Sequence, residues 1–217
     1  TLTSLKVALK VYAPGGGMDE HGVQLFSTEF SLVFNLNHSN LLKPTYYDTF
    51  ERMPYLVLPY CEQGSAANLI GRMSEKDAWL FLRDIAGGLE YLHGQEPPVI
   101  HQDIKPDNIL WLNRQAVLAD VGLVRNHADA GACGSPGFMP EDVLAGQRKA
   151  TAEDDLYALG KVIYCALTGL GAEEFPRLPG TFSDPVAKQL FRAVCMACSS
   201  QSSVRTADAF RRLLAPS

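Results

Sequence analysis

His101-Gln-Asp-Ile-Lys-Pro-Asp-Asn108, followed twelve residues after Asn108 by Asp120-Val-Gly122, is the stretch on which the reading of this chain turns. Val99-Ile100 and Ile109-Leu-Trp-Leu112 are short β-type runs on either side of the first segment, and Ala116-Val-Leu118 is a third. The spacing predicts a polar loop carried on a turn between strands. Asp103, Asn108 and Asp120 fall within 18 residues on adjacent loops, joined by a strand pair that can fold them together. Such groups can handle a hydroxyl proton and a magnesium ion. Hard oxygen ligands suit Mg²⁺, which keeps several waters and takes few protein ligands when it is bound with substrate phosphates. Taken alone, either motif also fits a pair of ordinary polar turns, so the flanking sequence has to decide.

Working outward, the first sixty residues read as strand-rich with one helix, and the remainder as helix-rich. Leu5 to Tyr12 carries β-type residues at alternating positions and stops at the breaker cluster Pro14-Gly-Gly-Gly17. Phe26, Phe30, Val33 and Leu36 recur at helical spacing. Tyr55-Leu-Val-Leu-Pro-Tyr60 is a short apolar strand that Pro59 should end, since proline cannot donate to a ladder. A boundary at residues 59–66 follows, dividing a small lobe (1–58) from a large one (67–217). Beyond it, Ser74 and Asp77 form a variant capping box before the stripe Leu82, Ile85, Ala86, Leu89 and Leu92. Thr151 with Asp154 caps another helix running to Leu167, and the tail from Asp184 to Leu214 reads as two helices around the polar stretch Ser199 to Ser203.

Composition excludes several classes. With 217 residues, 47% of them hydrophobic and 20% charged, the chain can bury a core and lies far from the regime of disorder. A net charge of −5 argues against broad binding to nucleic acid or to an anionic membrane. Five cysteines, spread without the dense spacing of a secreted framework, fit reduced thiols in the cytoplasm. Cys195-Met-Ala-Cys198 reads as two small buried helix residues, because no second such pair or nearby His pair completes a tetrahedral zinc set. The most apolar window, Leu156 to Ala172, is interrupted by Lys161 and too short to span a bilayer comfortably.

The sequence resembles the eukaryotic-type Ser/Thr protein kinase family, in order and over nearly the whole chain. Val7-Ala-Leu-Lys10 looks like the family's strand-three lysine motif. Glu29 lies where the helix-C glutamate would, nine residues before His38-Ser-Asn-Leu41. His101 to Asn108 resembles the catalytic loop and Asp120-Val-Gly122 the Asp-Phe-Gly motif. Gly134 to Glu141 is similar to the segment ending in Ala-Pro-Glu, Asp155 to Gly160 to the start of the buried helix F, and Arg205 to the glutamate's partner.

The resemblance implies an α+β, two-lobed fold, a strand-rich N-lobe lacking its first two strands, and a chain that is N-terminally incomplete, since only nine residues precede Lys10. It implies ATP and Mg²⁺ as cofactors and a protein substrate with a Ser or Thr acceptor. Lys10 would bind phosphates and Glu29 would pair with it. Asp103 would orient the acceptor hydroxyl, Lys105 would neutralise charge on the transferred phosphoryl, and Asn108 and Asp120 would hold the metal. Leu58 would be the gatekeeper, Pro59 and Cys61 would meet adenine through a carbonyl and an N–H, and Ala8 and Leu110 would sandwich its ring. Lys105-Pro106 is the form seen in Ser/Thr kinases. Gln102 and Val121 replace the family's arginine and phenylalanine, and the glycine-rich phosphate lid is missing, which leaves a pseudokinase scaffold as the alternative. With Gln102 in that place, activity is expected not to depend on activation-loop phosphorylation.

Overall fold

The computed structural model describes residues 6–12, 19–51, 53–72, 74–121, 134–179, 191–192, 194–199 and 206–213. Gly122, Arg205, Cys133 and the Pro14–Gly17 cluster lie outside them, as does the side chain of Glu29.

Three antiparallel strands, β1 (Val7–Val11), β2 (Tyr46–Phe50) and β3 (Met53–Pro59), form a sheet in the order β1-β3-β2. β3 ends at Pro59, where the missing N–H was expected to stop it. β1 alternates, with Val7, Leu9 and Val11 exposed and Ala8 and Lys10 half-buried, so the motif lysine shares a face with Ala8. Helix α1 (Glu20–Asn35) starts six residues before Phe26, the first residue of the helical spacing noted in the sequence. It is fastened to the sheet by aromatic rings: Phe26 lies 4.3 Å from Tyr12 and Phe30 lies 4.5 Å from Tyr47, centroid to centroid.

The second part is helical. Helix α2 (Glu75–His93) begins at Ser74, whose Oγ accepts from the Asp77 backbone N–H and donates to the Asp77 carboxylate. The side chains bond each other where a capping box would return to the cap's own N–H. The apolar stripe of α2 is fully buried against strand β5 (Gln115–Leu118) and helices α4 (Ala152–Thr168) and α5 (Ala207–Leu213). Between α2 and α4 lie the hairpin of β4 (Ile109–Leu112) with β5 and a short helix α3 (Glu141–Leu144). Helix α4 is closed at its N-terminus by the Asp154 carboxylate, which accepts from both the N–H and the hydroxyl of Thr151. Residues 191–192 and 194–197 are also helical.

One expectation is corrected. Val99-Ile100 is not a strand: the Val99 N–H donates to the Leu92 carbonyl as the chain turns off α2, and no ladder forms. β2 was not anticipated. The fold is α+β, a small strand-rich lobe on a larger helical one. Residues 40–42 join the two parts: Leu42 N–H donates to the Leu118 carbonyl, Leu118 N–H to that of Asn40, and the Asn40 side-chain amide to that of Ala116.

Candidate active site

The loop from His101 to Asn108 is fixed from beneath by one carboxylate. Asp155, the third acidic residue in the first turn of α4, is fully buried. Its Oδ2 accepts from the His101 backbone N–H at 2.8 Å and from His93 Nε2 at 2.8 Å, and its Oδ1 accepts from the Gln102 N–H at 2.9 Å. Gln102 is thereby held at φ 66°, a left-handed conformation that non-glycine residues adopt at a cost. The His101 ring, also fully buried, has its Nε2 2.9 Å from the Ala119 carbonyl, while its Nδ1 accepts from the Asp103 N–H. That assigns the proton to Nε2. One imidazole therefore links the loop bearing Asp103 to the residue before Asp120. A further bond, Ala119 N–H to the Asn108 carbonyl at 2.8 Å, closes the connection.

Asp103 and Asn108 are both buried. The Asn108 Nδ2 donates to the Asp103 backbone carbonyl at 2.8 Å and to its Oδ2 at 2.9 Å. Both amide protons are then used, and Oδ1 of Asn108 is the atom left over for another partner. Ser135 Oγ donates to Asp103 Oδ1 at 2.8 Å and accepts from Lys105 Nζ at 3.0 Å; that ammonium also lies 3.4 Å from Asp103 Oδ2. A carboxylate, a hydroxyl and an ammonium thus close a triangle at the front of the loop. Asp120, at φ 62°, is the second left-handed non-glycine residue here, and its exposed carboxylate pairs with Lys10 of β1.

The expected adenine-contacting residues also come together. Ala8 is paired with Leu58 in the sheet register, and Leu58, Cys61 and Leu110 pack against the small cluster of Leu42, Val117 and Ala119. The Cys61 thiol faces the Pro59 carbonyl at 3.8 Å, and burial raises its pKa above the ordinary thiol value. Of the expected site residues, then, Lys10 meets Asp120, Asp103 meets Lys105 and Asn108, and Ala8, Leu58, Cys61 and Leu110 line one region. Glu29 stands on α1, with its side chain outside the described part.

Cys195 and Cys198, expected as buried helix residues, are both only partly buried, and Cys198 lies on the turn that follows the helical residues 194–197. Burial pushes Cys198 up to about 12 and Cys165 up to about 11, and among the described residues no three His, Cys, Asp or Glu side chains converge on a metal position. His93 was not singled out from sequence, and Asp155 only as the start of a helix. Their signal was the Asp154-Asp155 doublet opening an apolar helix, since a buried acid needs donors and the loop supplies them.

The family model described as the protein kinase domain matches residues 1–197. The chain belongs to the protein kinase family, of the eukaryotic Ser/Thr type. Among its relatives, the human serine/threonine-protein kinase ULK1 is 33% identical over 162 residues, covering 67% of this chain and 15% of that protein. The calcium/calmodulin-regulated receptor-like kinase 1 of Arabidopsis thaliana is 33% identical over 180 residues, 77% of this chain and 40% of its own length. The mouse protein named inactive serine/threonine-protein kinase PLK5 is 31% identical over 176 residues, covering 77% of this chain and 29% of that protein. The kinase chain therefore spans less than half the length of each of these relatives. No helix among its described residues is long and apolar enough to cross a membrane.

Proposed function

We propose that this kinase domain (N-lobe 1–58, hinge 59–66, C-lobe 67–217) transfers the γ-phosphoryl group of ATP to a Ser or Thr of a protein substrate. The observation that carries the reading is the Asp103–Ser135–Lys105 triangle, in which a buried carboxylate and an ammonium are held at hydrogen-bond range around a hydroxyl. An acceptor hydroxyl taking the place of Ser135 Oγ would meet the same two groups: Asp103 to receive its proton and Lys105 to offset charge on the phosphoryl. Ala8, Leu58, Pro59, Cys61 and Leu110 form the adenine end, and Lys10 takes the phosphates, where Glu29 would be its ion-pair partner.

The donor set fits magnesium. Asn108 Oδ1, left over by its own amide, and the exposed Asp120 carboxylate are the two hard oxygens that would hold it. When bound, the ion would neutralise phosphate charge. Lys10 must leave Asp120 for the phosphates when nucleotide enters.

The same Lys10–Asp120 pair favours a second reading, a scaffold in which the cation and the metal carboxylate neutralise each other permanently. One relative carries the word inactive in its name. Millimolar Mg-ATP separates the two. Binding to the folded state at a hundred times Kd is worth about 2.7 kcal/mol, a rise in melting temperature of roughly 5–11 °C at this chain length. Asp120→Asn should remove the magnesium-dependent part of the shift. No shift from a folded protein would overturn the nucleotide reading.

Control is expected to be independent of activation-loop phosphorylation. Between Gly122 and Glu141 the only hydroxyl is Ser135, already engaged with Asp103 and Lys105, and Gln102 is a neutral amide unable to pair with a phosphate of about −1.5 to −2 charges. Gln102→Arg should bring no gain. Phosphatase treatment that abolishes activity, with the lost phosphate mapped to residues 123–140, would refute this.

A further inference from the structure

A cleft of about 540 Å³, within the size range of ligand sites, lies between the segment following β3 and the β4–β5 hairpin. It shares no residue with the Lys10, Asp103 and Asp120 site. Tyr60, Trp111 and Leu112 form its apolar walls, and Tyr60 is 47% exposed. The Trp111 indole packs on Phe81 behind it, and its buried N–H has no hydrogen-bond partner among the described residues. At the rim, Lys6 Nζ lies 3.0 Å from Glu62 Oε1 and 5.8 Å from the centre of the Tyr60 ring. Both partners of that ion pair are about two-thirds exposed or more, so it contributes little and exchanges readily with a competing charge.

The hairpin turn supplies the second cation. Asn113 and Arg114 have φ of 50° and 66°, both left-handed, as in the two-residue turns whose second position favours glycine. An arginine is held there against that preference, and strained positions of this kind cluster at ligand clamps. Arg114 makes no ion pair among the described residues. The cleft thus sets two cations against one anion on a chain whose net charge is −5.

We propose that this cleft docks an extended acidic segment of a partner protein. One carboxylate is held by Arg114 and Lys6, and an aliphatic side chain two residues further on, about 7 Å away along an extended chain, sits against Tyr60, Trp111 and Leu112. Charge selects the occupant: a basic segment would face Arg114 unpaired.

The probe is the labelled peptide acetyl-Gly-Asp-Glu-Val-Leu-Gly-amide, titrated by fluorescence anisotropy, with the Trp111 indole N–H resonance followed in parallel and assigned through Trp111→Phe. Saturable binding that moves this resonance is expected. Changing the peptide's acids to Asn and Gln, or Arg114→Glu, should weaken binding about tenfold or more. Arg114→Gly separates recognition from folding: it should leave the melting temperature unchanged or higher, because glycine suits the turn, yet weaken binding to a similar degree. Lys10→Met should leave peptide affinity unchanged. No saturation at millimolar peptide, affinity indifferent to Arg114→Gly and Arg114→Glu, or loss of binding in Lys10→Met would each overturn the proposal.

Discussion

Asp155→Ala deletes the carboxylate on which the catalytic loop rests. Three donors lose their acceptor: the backbone N–H groups of His101 and Gln102, and Nε2 of His93, at 2.8, 2.9 and 2.8 Å. Bonds to a charged acceptor are worth about 1.5–3 kcal/mol each, so independent losses would sum to roughly 4.5–9 kcal/mol. The net effect should be smaller. Gln102 can leave its left-handed conformation once released, recovering about 1–3 kcal/mol of strain, and water can reach the freed donors. A net loss of about 3–5 kcal/mol follows, or roughly 6–20 °C in melting temperature for a chain of this size. Asp155→Asn should lose less, because its carbonyl still accepts while its NH₂ faces a donor. Urea titration, with the slope m unchanged between variants, measures the difference. A loss below about 1 kcal/mol for Asp155→Ala would refute the view that this carboxylate supports the loop.

Arg148 donates to Asp154 through two nitrogens, at 2.7 and 2.8 Å, and to Asp142 at 2.7 Å; Arg148→Ala should cost about 1–3 kcal/mol by thermal melting. Burial pushes the Asp154 carboxyl up, but the Arg148 guanidinium and the Thr151 donors outweigh it and hold the pKa below the ordinary carboxylate value. Because the folded pKa is the lower one, this stabilisation is fully present above the unfolded value and is lost as pH falls through the folded one. The variant should therefore show a flatter acid limb in its stability–pH curve, and an unchanged limb would contradict the assignment. Gly160→Ala on α4 would place a Cβ 3.0 Å from Cys198 Sγ and 3.3 Å from Ala197 Cβ, and should destabilise by about 1–3 kcal/mol despite alanine's better helix propensity. A variant more stable than the parent would show that this packing yields.

Motif and cap residues were legible because each acts locally. Pro59 ends β3 because it lacks a donor, and Thr151 with Asp154 starts α4 because the Asp154 carboxylate accepts from the N–H and the hydroxyl of Thr151 at the helix start. Asp103, Asn108 and Asp120 could be read as a group because one hairpin separates them. Features set by distant partners were not legible. Val99-Ile100 has strand composition but no neighbouring strand, and β2 is mostly exposed and lacks a buried alternating face. Lys161 reads as a break in an apolar window, yet it is buried, donates to the Ala172 carbonyl at 2.6 Å and lies over the Phe175 ring, contacts supplied by the turn after its own helix. The same holds for Asp155, whose three donors come from α2 and the catalytic loop, more than fifty residues away.

The most direct test of the central claim compares wild type with Asp103→Asn for transfer of labelled γ-phosphate from Mg-ATP to Ser/Thr-containing protein acceptors. Melting shifts with Mg-ATP should be recorded on both proteins. Removing a positioned general base is typically worth about 10²- to 10⁴-fold in rate. A loss of that size is expected in the variant, with the nucleotide-induced shift and the fold retained. Equal transfer by the two proteins, or none by a wild type that binds Mg-ATP, would contradict that claim.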